Sequence, residues 1–385
     1  MTRAASTVVA AAAVVTPAAV LRPGWVEVTG SQITAVSEGA PSTAPQVSRG
    51  KGMLVPGFVD MHVHGGGGCS FGGTSSDEAA RAAGWHRAQG STTMLASLVS
   101  APQEELVRQV AMLAELVQDG LLSGIHLEGP WLAPGKRGAH DPHTLRDPVA
   151  QEVDEVLRAG RGAVRMVTLA PERPGGLDAV RQLVAAGVVA AIGHTEADYE
   201  QTRAAIEAGA SVATHLFNAM PAVHHRRPGP VPALLADDRV TAEVVADGLH
   251  VHPAILQWVL GTAGPTRVAL VTDAMSAAGM GDGSYSLGGL PVQVRDGAAR
   301  LADGTIAGST ATTTQLFTAA RQALGETDEA LIAASRVCST TPAEALGLDG
   351  RGAIDVGRQA DLVLLDDGGP ASVLSAGEWV PAEPS

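Results

Sequence analysis

The stretch Pro56-Gly57-Phe58-Val59-Asp60-Met61-His62-Val63-His64-Gly65 decides how the rest of the chain is read. It reads as a β-strand, whose side chains alternate faces, so His62 and His64 point to the same side. Two imidazoles on one face, at a strand end and before the flexible Gly65-Gly66-Gly67-Gly68 run, suit a metal ion. The competing reading is a pair of hydrogen-bonded polar residues with no ligand role.

Working outward, short apolar runs alternate with stretches of helical pattern. The runs fall at 58–64, 92–100, 124–129, 164–170, 188–194, 211–217, 241–247 and 268–273. Between them the helical pattern recurs at 76–89, 103–118, 176–186, 198–208 and 253–262. Eight strands alternating with helices predict an α/β fold, a (β/α)8 TIM-like barrel, whose active-site residues sit at the C-terminal strand ends. Residues 276–309 interrupt the alternation. There Tyr285-Ser286-Leu287-Gly288-Gly289 and Pro291-Val292-Gln293-Val294 predict a β-hairpin before a last helix near 310–324.

The two chain ends belong together. Val8 to Val15 reads as a first strand, with turns at Thr16-Pro17 and Arg22-Pro23-Gly24 and a second strand at Trp25-Val26-Glu27-Val28. The alanine-rich run behind Arg3 also has the look of a short signal peptide, but the turns and second strand favour the strand reading. Residues 352–365 return to β character. Neither group buries a face alone, so the expectation is one small flanking β-sandwich built from segments 1–55 and 346–385, around a barrel at 56–345.

Composition bounds the function. The 385 residues are 45% apolar and 17% charged, enough for a large core, and a formal charge of −14 argues against nucleic acid or an anionic membrane as partner. No run reaches the roughly 20 apolar residues of a membrane span. Two cysteines far apart, Cys69 and Cys338, imply no disulfide framework and point to a reducing, cytoplasmic setting.

The metal reading gains from recurrence at other strand ends. His126-Leu127-Glu128-Gly129-Pro130, Gly193-His194-Thr195, Thr214-His215-Leu216-Phe217 and Val271-Thr272-Asp273-Ala274-Met275 all place ligand-type side chains there. Glu128, His194 and His215 form one candidate metal set, and His62, His64 and Asp273 a second. The only lysines, Lys51 and Lys136, lie outside the barrel strands, so a bridging carboxylate falls to Glu128. Such donors accommodate one or two divalent ions, with zinc expected and iron, cobalt or manganese also suitable. Asp273 is the candidate catalytic acid/base for amide hydrolysis, against the plainer reading of a helix N-cap before Ala274.

Two further stretches, His224-His225-Arg226-Arg227-Pro228-Gly229 and Asp247-Gly248-Leu249-His250, are polar without a packing reason. Arg226 has the geometry to grip a phosphate. Taken with Pro-Gly-Phe-Val-Asp-x-His-x-His, His126-Leu127-Glu128-Gly129-Pro130, Thr214-His215-Leu216-Phe217-Asn218-Ala219-Met220 and Thr272-Asp273-Ala274-Met275, the chain from about 14 to 366 resembles the N-acetylglucosamine-6-phosphate deacetylases of the amidohydrolase superfamily.

The resemblance implies hydrolysis of the acetamide of N-acetyl-D-glucosamine 6-phosphate to glucosamine 6-phosphate and acetate, in amino-sugar catabolism or cell-wall recycling. Carried over by motif, Glu128, His194 and His215 bind metal and Asp273 is the acid/base. Ala139, His140, Asn218, Ala219 and His250 would contact a small sugar-phosphate substrate, and Ile306, Ala307 and Gly308 would lie beside its acetyl group. Arg226 would bind phosphate, reaching in from the partner of a homodimer. Where the family usually has an acidic residue after that arginine, this chain has Arg227. Alternatives are the galactosamine epimer, a cyclic amidase lacking the expected strand lysine, and a non-catalytic sugar-phosphate-binding regulator.

Overall fold

Eight apolar runs pair in parallel and in chain order: β1 Phe58–Val63, β2 Ser91–Leu98, β3 Gly124–Glu128, β4 Val164–Leu169, β5 Val189–Ile192, β6 Val212–Ala213, β7 Thr241–Val244 and β8 Val268–Leu270. The computed structural model describes residues 6–45, 47–366 and 369–381. Period-two alternation sends Val63, Leu98, Leu127 and Val244 outward against the helices, while Leu95, Met166, Val212 and Ala269 fill the interior. The helices that follow the barrel strands are α1 Ser76–Ala88, α2 Gln103–Gln118, α3 Ala150–Gly160, α4 Gly176–Ala185, α5 Tyr199–Glu207, α6 Pro230–Ala236, α7 Pro253–Ala263 and α8 Thr313–Leu324, and two more, α9 Asp328–Ser335 and α10 Thr341–Ala345, come after α8. Capping boxes start two of them, Asp198 with Gln201 on α5 and Thr312 with Gln315 on α8.

All eight predicted strands are present, but several end earlier than the apolar runs suggest. His194, His215, Phe217 and Asp273 have φ of +46°, +26°, +77° and +48°. Left-handed backbone cannot continue a ladder, so these residues turn out of the sheet as it ends. The ring closes between β8 and β1 through the same irregular segment, where Asp273 N–H donates to His62 O at 2.8 Å and His64 N–H to Ala274 O at 2.8 Å. Asp60 adds a side-chain tie, accepting from the Thr272 hydroxyl at 2.6 Å.

The chain ends make one continuous eight-stranded sheet. Its path runs Glu378–Trp379, Gly369–Ser375, Leu362–Asp366, Val47–Pro56, Ser6–Val15, Gly24–Thr29, Gln32–Glu38, with Val20–Leu21 paired beside Ser6–Val15. The sheet rolls back on itself: Ile33 N–H reaches Arg358 O and Ala360 N–H reaches Ser31 O. Val9, Val26, Ile33, Leu54, Leu364 and Leu374 fill the fold so formed. Arg3 and the other residues of 1–5, 46, 367–368 and 382–385 lie outside the described residues. The predicted hairpin is Gly283–Leu287 with Leu290–Arg295, and a third strand, Ala298–Arg300, extends it. Cys69 and Cys338 are both buried and free. Among the described residues no helix is long and apolar enough to cross a membrane.

Candidate active site

The strand ends converge at the barrel mouth on two buried sets of potential ligands, His62, His64 and Asp273 in one and Glu128, His194 and His215 in the other, each with ligand atoms within 4.8 Å of one another. Glu128 stands between the sets. Its Oε1 lies 2.8 Å from His215 Nε2 and 3.0 Å from His194 Nε2, while its Oε2 lies 3.2 Å from His64 Nε2. Asp273 Oδ1 faces His64 Nε2 at 3.2 Å and His62 Nε2 at 3.5 Å. Asp273 caps no helix; its carbonyl accepts from Ser309 N–H at 2.7 Å.

The imidazoles are aimed by their outer nitrogens. His62 Nδ1 donates to Glu243 at 3.2 Å, His64 Nδ1 to Ser97 O at 3.2 Å and His194 Nδ1 to Lys136 O at 2.7 Å. Each Nε2 is thereby left with a lone pair directed inward. His62 and His64 then present Nε2 atoms 3.1 Å apart; the Nε2 atoms of His194 and His215 are also 3.1 Å apart, with His215 Nδ1 buried without a hydrogen-bond partner. Paired lone pairs at that distance repel unless a proton or cation lies between them. Two nitrogens bound tetrahedrally to one zinc at about 2.0–2.1 Å stand roughly 3.3 Å apart, so the donor set fits a divalent ion.

Charge in the site is strongly coupled. Burial alone would favour neutral carboxyls, but facing imidazoles outweigh it and hold Glu128 and Asp273 well below the usual carboxylate range. Burial likewise disfavours charge on His64, yet hydrogen bonds to Asp273 and Glu128 raise it to about 9. His250 is raised too, its Nδ1 donating to Asp247 at 2.7 Å and its Nε2 lying 3.7 Å from Asp273 Oδ2.

A cavity of about 430 Å³ opens onto these groups. Of the residues expected from sequence, His64, Glu128, Ala139, His140, His194, His215, Asn218, Ala219, His250, Asp273, Ile306 and Gly308 line it. His62 is fully buried behind His64, and Ala307 is buried behind Ile306 and Gly308. His140 reaches Glu128 Oε2 at 3.3 Å while its Nδ1 accepts from Ser100 N–H at 3.2 Å. Gly308 is required: at φ +68° an added Cβ would meet Asp273 O at 2.8 Å.

Arg226 does not join them. It is exposed, on the turn where His224 bridges to Arg227, with its Nη1 2.6 Å from His225 Nε2. The cations this chain brings to its own cavity are Lys136 and Arg137, neither expected from sequence. Their loop wraps His194, with Ala133 N–H donating to His194 O at 2.9 Å. Glu243 was also missed, and its only sequence signal is one carboxylate inside the apolar run Val240 to Ala246.

A parallel barrel with histidines and carboxylates at its strand ends defines a metal-dependent barrel hydrolase. Residues 53–380 match the model of the Amidohydrolase family, and the chain belongs to that family. It is 38% identical to an N-acetylgalactosamine-6-phosphate deacetylase from Escherichia coli O157:H7, over 82% of this chain and 84% of that one. An N-acetylglucosamine-6-phosphate deacetylase from Vibrio furnissii is 36% identical over 80% of this chain and 78% of its own. Among solved structures, an Asp-to-Ala mutant of N-acetyl-D-glucosamine-6-phosphate deacetylase from Mycobacterium smegmatis, in complex with N-acetyl-D-glucosamine-6-phosphate, superposes with a TM-score of 0.95 at 52% identity, covering 98% of this chain and 99% of that one.

Proposed function

We propose that the chain hydrolyses the acetamide of N-acetyl-D-glucosamine 6-phosphate, giving D-glucosamine 6-phosphate and acetate. The observation that carries this reading is the 52% identity, across 98% of the chain, to a deacetylase whose structure holds that sugar phosphate. The cavity suits it: about 430 Å³ accommodates one small ligand, with ligand sets and a carboxylate at its floor.

Glu128, His194 and His215 would hold one divalent ion, and His62, His64 and Asp273 a second, with Glu128 shared; zinc is the proposed metal. When bound, such an ion supplies Lewis acidity, making water acidic enough to serve as nucleophile near neutral pH and polarising the amide carbonyl. Asp273, held as a carboxylate, accepts the proton of the attacking water. The same carboxyl then gives that proton to the leaving nitrogen as the carbon–nitrogen bond breaks, giving acetic acid and the amine; the acid's remaining proton passes to the amine, so acetate and the ammonium form leave with atoms and charge balanced. His250, oriented by Asp247, lies beside Asp273 to hold the sugar or the carbonyl oxygen. Asn218, Ala219, Ala139 and His140 frame the sugar, and Ile306 to Gly308 shape the acetyl end. For the phosphate, Arg226 from the second subunit of a homodimer is the proposed contact, in a cytoplasmic enzyme.

The 38% identity to an N-acetylgalactosamine-6-phosphate deacetylase favours a second reading, the C4 epimer. Acetate release from N-acetylglucosamine and N-acetylgalactosamine, each with and without the 6-phosphate, separates the two readings. We expect kcat/KM to be highest for N-acetylglucosamine 6-phosphate; a higher value for the galactosamine epimer reverses the assignment. Equal turnover of phosphorylated and free sugars would remove the phosphate from the reading altogether.

A further inference from the structure

Glu243 stands out among the buried titratable groups that the proposed chemistry leaves unused. It is fully buried, on β7, between Ala242 and Val244, which pack outward against the helices. Alternation therefore turns Glu243 into the barrel, the side on which Ala191, Val212, Val245, Ala269 and Val271 cluster. A carboxylate there is costly unless its hydrogen bonds repay the burial.

Its side-chain partners among the described residues are two. Oε2 accepts from His62 Nδ1–H at 3.2 Å and from the His215 backbone N–H at 3.3 Å, while Oε1 is buried without a protein partner. Neither partner is an arginine or lysine, so the carboxylate has no structural ion pair with a permanent cation to explain it. Both partners belong to candidate ligands, one from each set. The main chain repeats the connection, Glu243 O accepting from Leu216 N–H at 2.8 Å. That bond braces the segment in which His215 and Phe217 take positive φ.

We propose that Glu243 is a positioning residue for the metal centre, acting through His62 and through the His215 backbone; this rests on the metal reading above. A carboxylate only accepts hydrogen bonds, so it fixes His62 as the tautomer with Nδ1 protonated and Nε2 free. That nitrogen is then held 3.1 Å from His64 Nε2 and 3.5 Å from Asp273 Oδ1, where it completes the second ligand set. Acting as hydrogen-bond acceptor, Glu243 also makes the imidazole a stronger donor to a cation. His215 is affected less, because its own ring nitrogen reaches Glu128 without help from Glu243.

The test is a zinc titration of the full metal-stripped chain against a competing chelator, with thermal unfolding of the metal-free protein measured in parallel. Wild type should bind two equivalents. Glu243→Ala should weaken one of them 10- to 100-fold, the usual effect of removing such an outer partner. The other equivalent should move much less, and Glu243→Gln, whose amide oxygen can still accept from Nδ1, should recover part of the loss. In a His62→Gln background, Glu243→Ala should add nothing at the weakened site. Glu243→Gln is nearly isosteric and carries the test if the alanine variant does not fold. Equal zinc affinities in wild type and both variants would overturn the proposal. So would a loss at both sites that tracks a fall in metal-free stability. Failure of wild type to bind zinc would instead remove the metal reading itself, and Glu243's role with it.

Discussion

Asp273 sits 3.2 Å from His64 and 3.7 Å from His250, where its ligand set meets the open cavity. Its two assignments, ligand and proton carrier, are separable by substitution. In Asp273→Asn the amide oxygen remains beside His62 and His64 but carries no transferable proton. Turnover should fall by about 100-fold or more, the usual contribution of general acid–base catalysis, while Glu128, His194 and His215 still retain their metal. Steady-state kcat alongside metal analysis checks this, and near-normal kcat would remove Asp273 from the proton path. The residues legible in the sequence were those whose chemistry breaks the pattern around them at a strand end: His62, His64, Glu128, His194, His215 and Asp273. Glu243 breaks a pattern too, but in mid-strand, where one charge reads as an outward face until pairing shows it turned inward. Lys136 and Arg137 gave no signal, since a loop's approach to a cavity is set by tertiary contacts such as His194 to Lys136 O.

At the scale of elements, the pattern showed every barrel strand and located α2 to the residue, because a barrel strand is buried on both faces and reads as a continuous apolar run, whereas a flanking helix is apolar on one face. Strand ends were not legible: a run such as Ser211 to Phe217 returns to apolar Leu216-Phe217 after the ladder stops at Ala213, and the backbone angles record the exit. Those exits need bracing. The Gly308-Ser309 segment supplies it at Asp273, through the Ser309 N–H bond and the close approach of Gly308. Gly308→Ala should cost about 1–3 kcal/mol locally and lower kcat/KM by roughly tenfold or more, as each 1.4 kcal/mol lost from the transition state is a decade. Wild-type kcat/KM in that variant would show the segment to be a passive wall. Helix α1 braces β1 in a comparable way, its His86 Nε2–H donating to Gly65 O at 2.8 Å just after His64. Burial lowers the His86 pKa to about 4, with the Gly65 bond only partly opposing it. The unfolded chain, with a His pKa of about 6.5, therefore takes up the proton first as pH falls. Stability from this group is complete above pH ~6.5 and is lost on acidification from there toward pH ~4, at up to about 1.4 kcal/mol per pH unit. Denaturant unfolding of wild type and His86→Gln at pH 7 and pH 5 should give a shallower dependence in the variant. Coincident slopes would clear His86 of this role.

The whole molecule joins a barrel whose order follows the chain to a sheet that draws strands from both ends. The barrel was readable because each βα unit repeats locally. That the two chain ends combine was readable, since neither group of strands buries a face alone, but their union in one rolled sheet was not, since the pairing of Val47–Pro56 with Leu362–Asp366 spans most of the chain. Arg226 raises a question of the same scale. It is exposed and absent from the cavity of its own chain, where the lining cations are Lys136 and Arg137 on a protein of net charge −14. If a partner supplies that arginine, each site is composite, and two defective chains can repair one another. Arg226→Ala keeps Asp273 but deprives its partner's site of the guanidinium, whereas Asp273→Asn keeps Arg226 and loses its own proton carrier. Mixed after unfolding and refolding together, half the dimers should pair one chain of each kind, and in each of these one of the two sites is intact. Random pairing in a twofold dimer therefore restores about a quarter of wild-type activity when assayed below KM, well above either variant alone. An Arg226 that acts within its own subunit, or not at all, gives only the mean of the two separate activities.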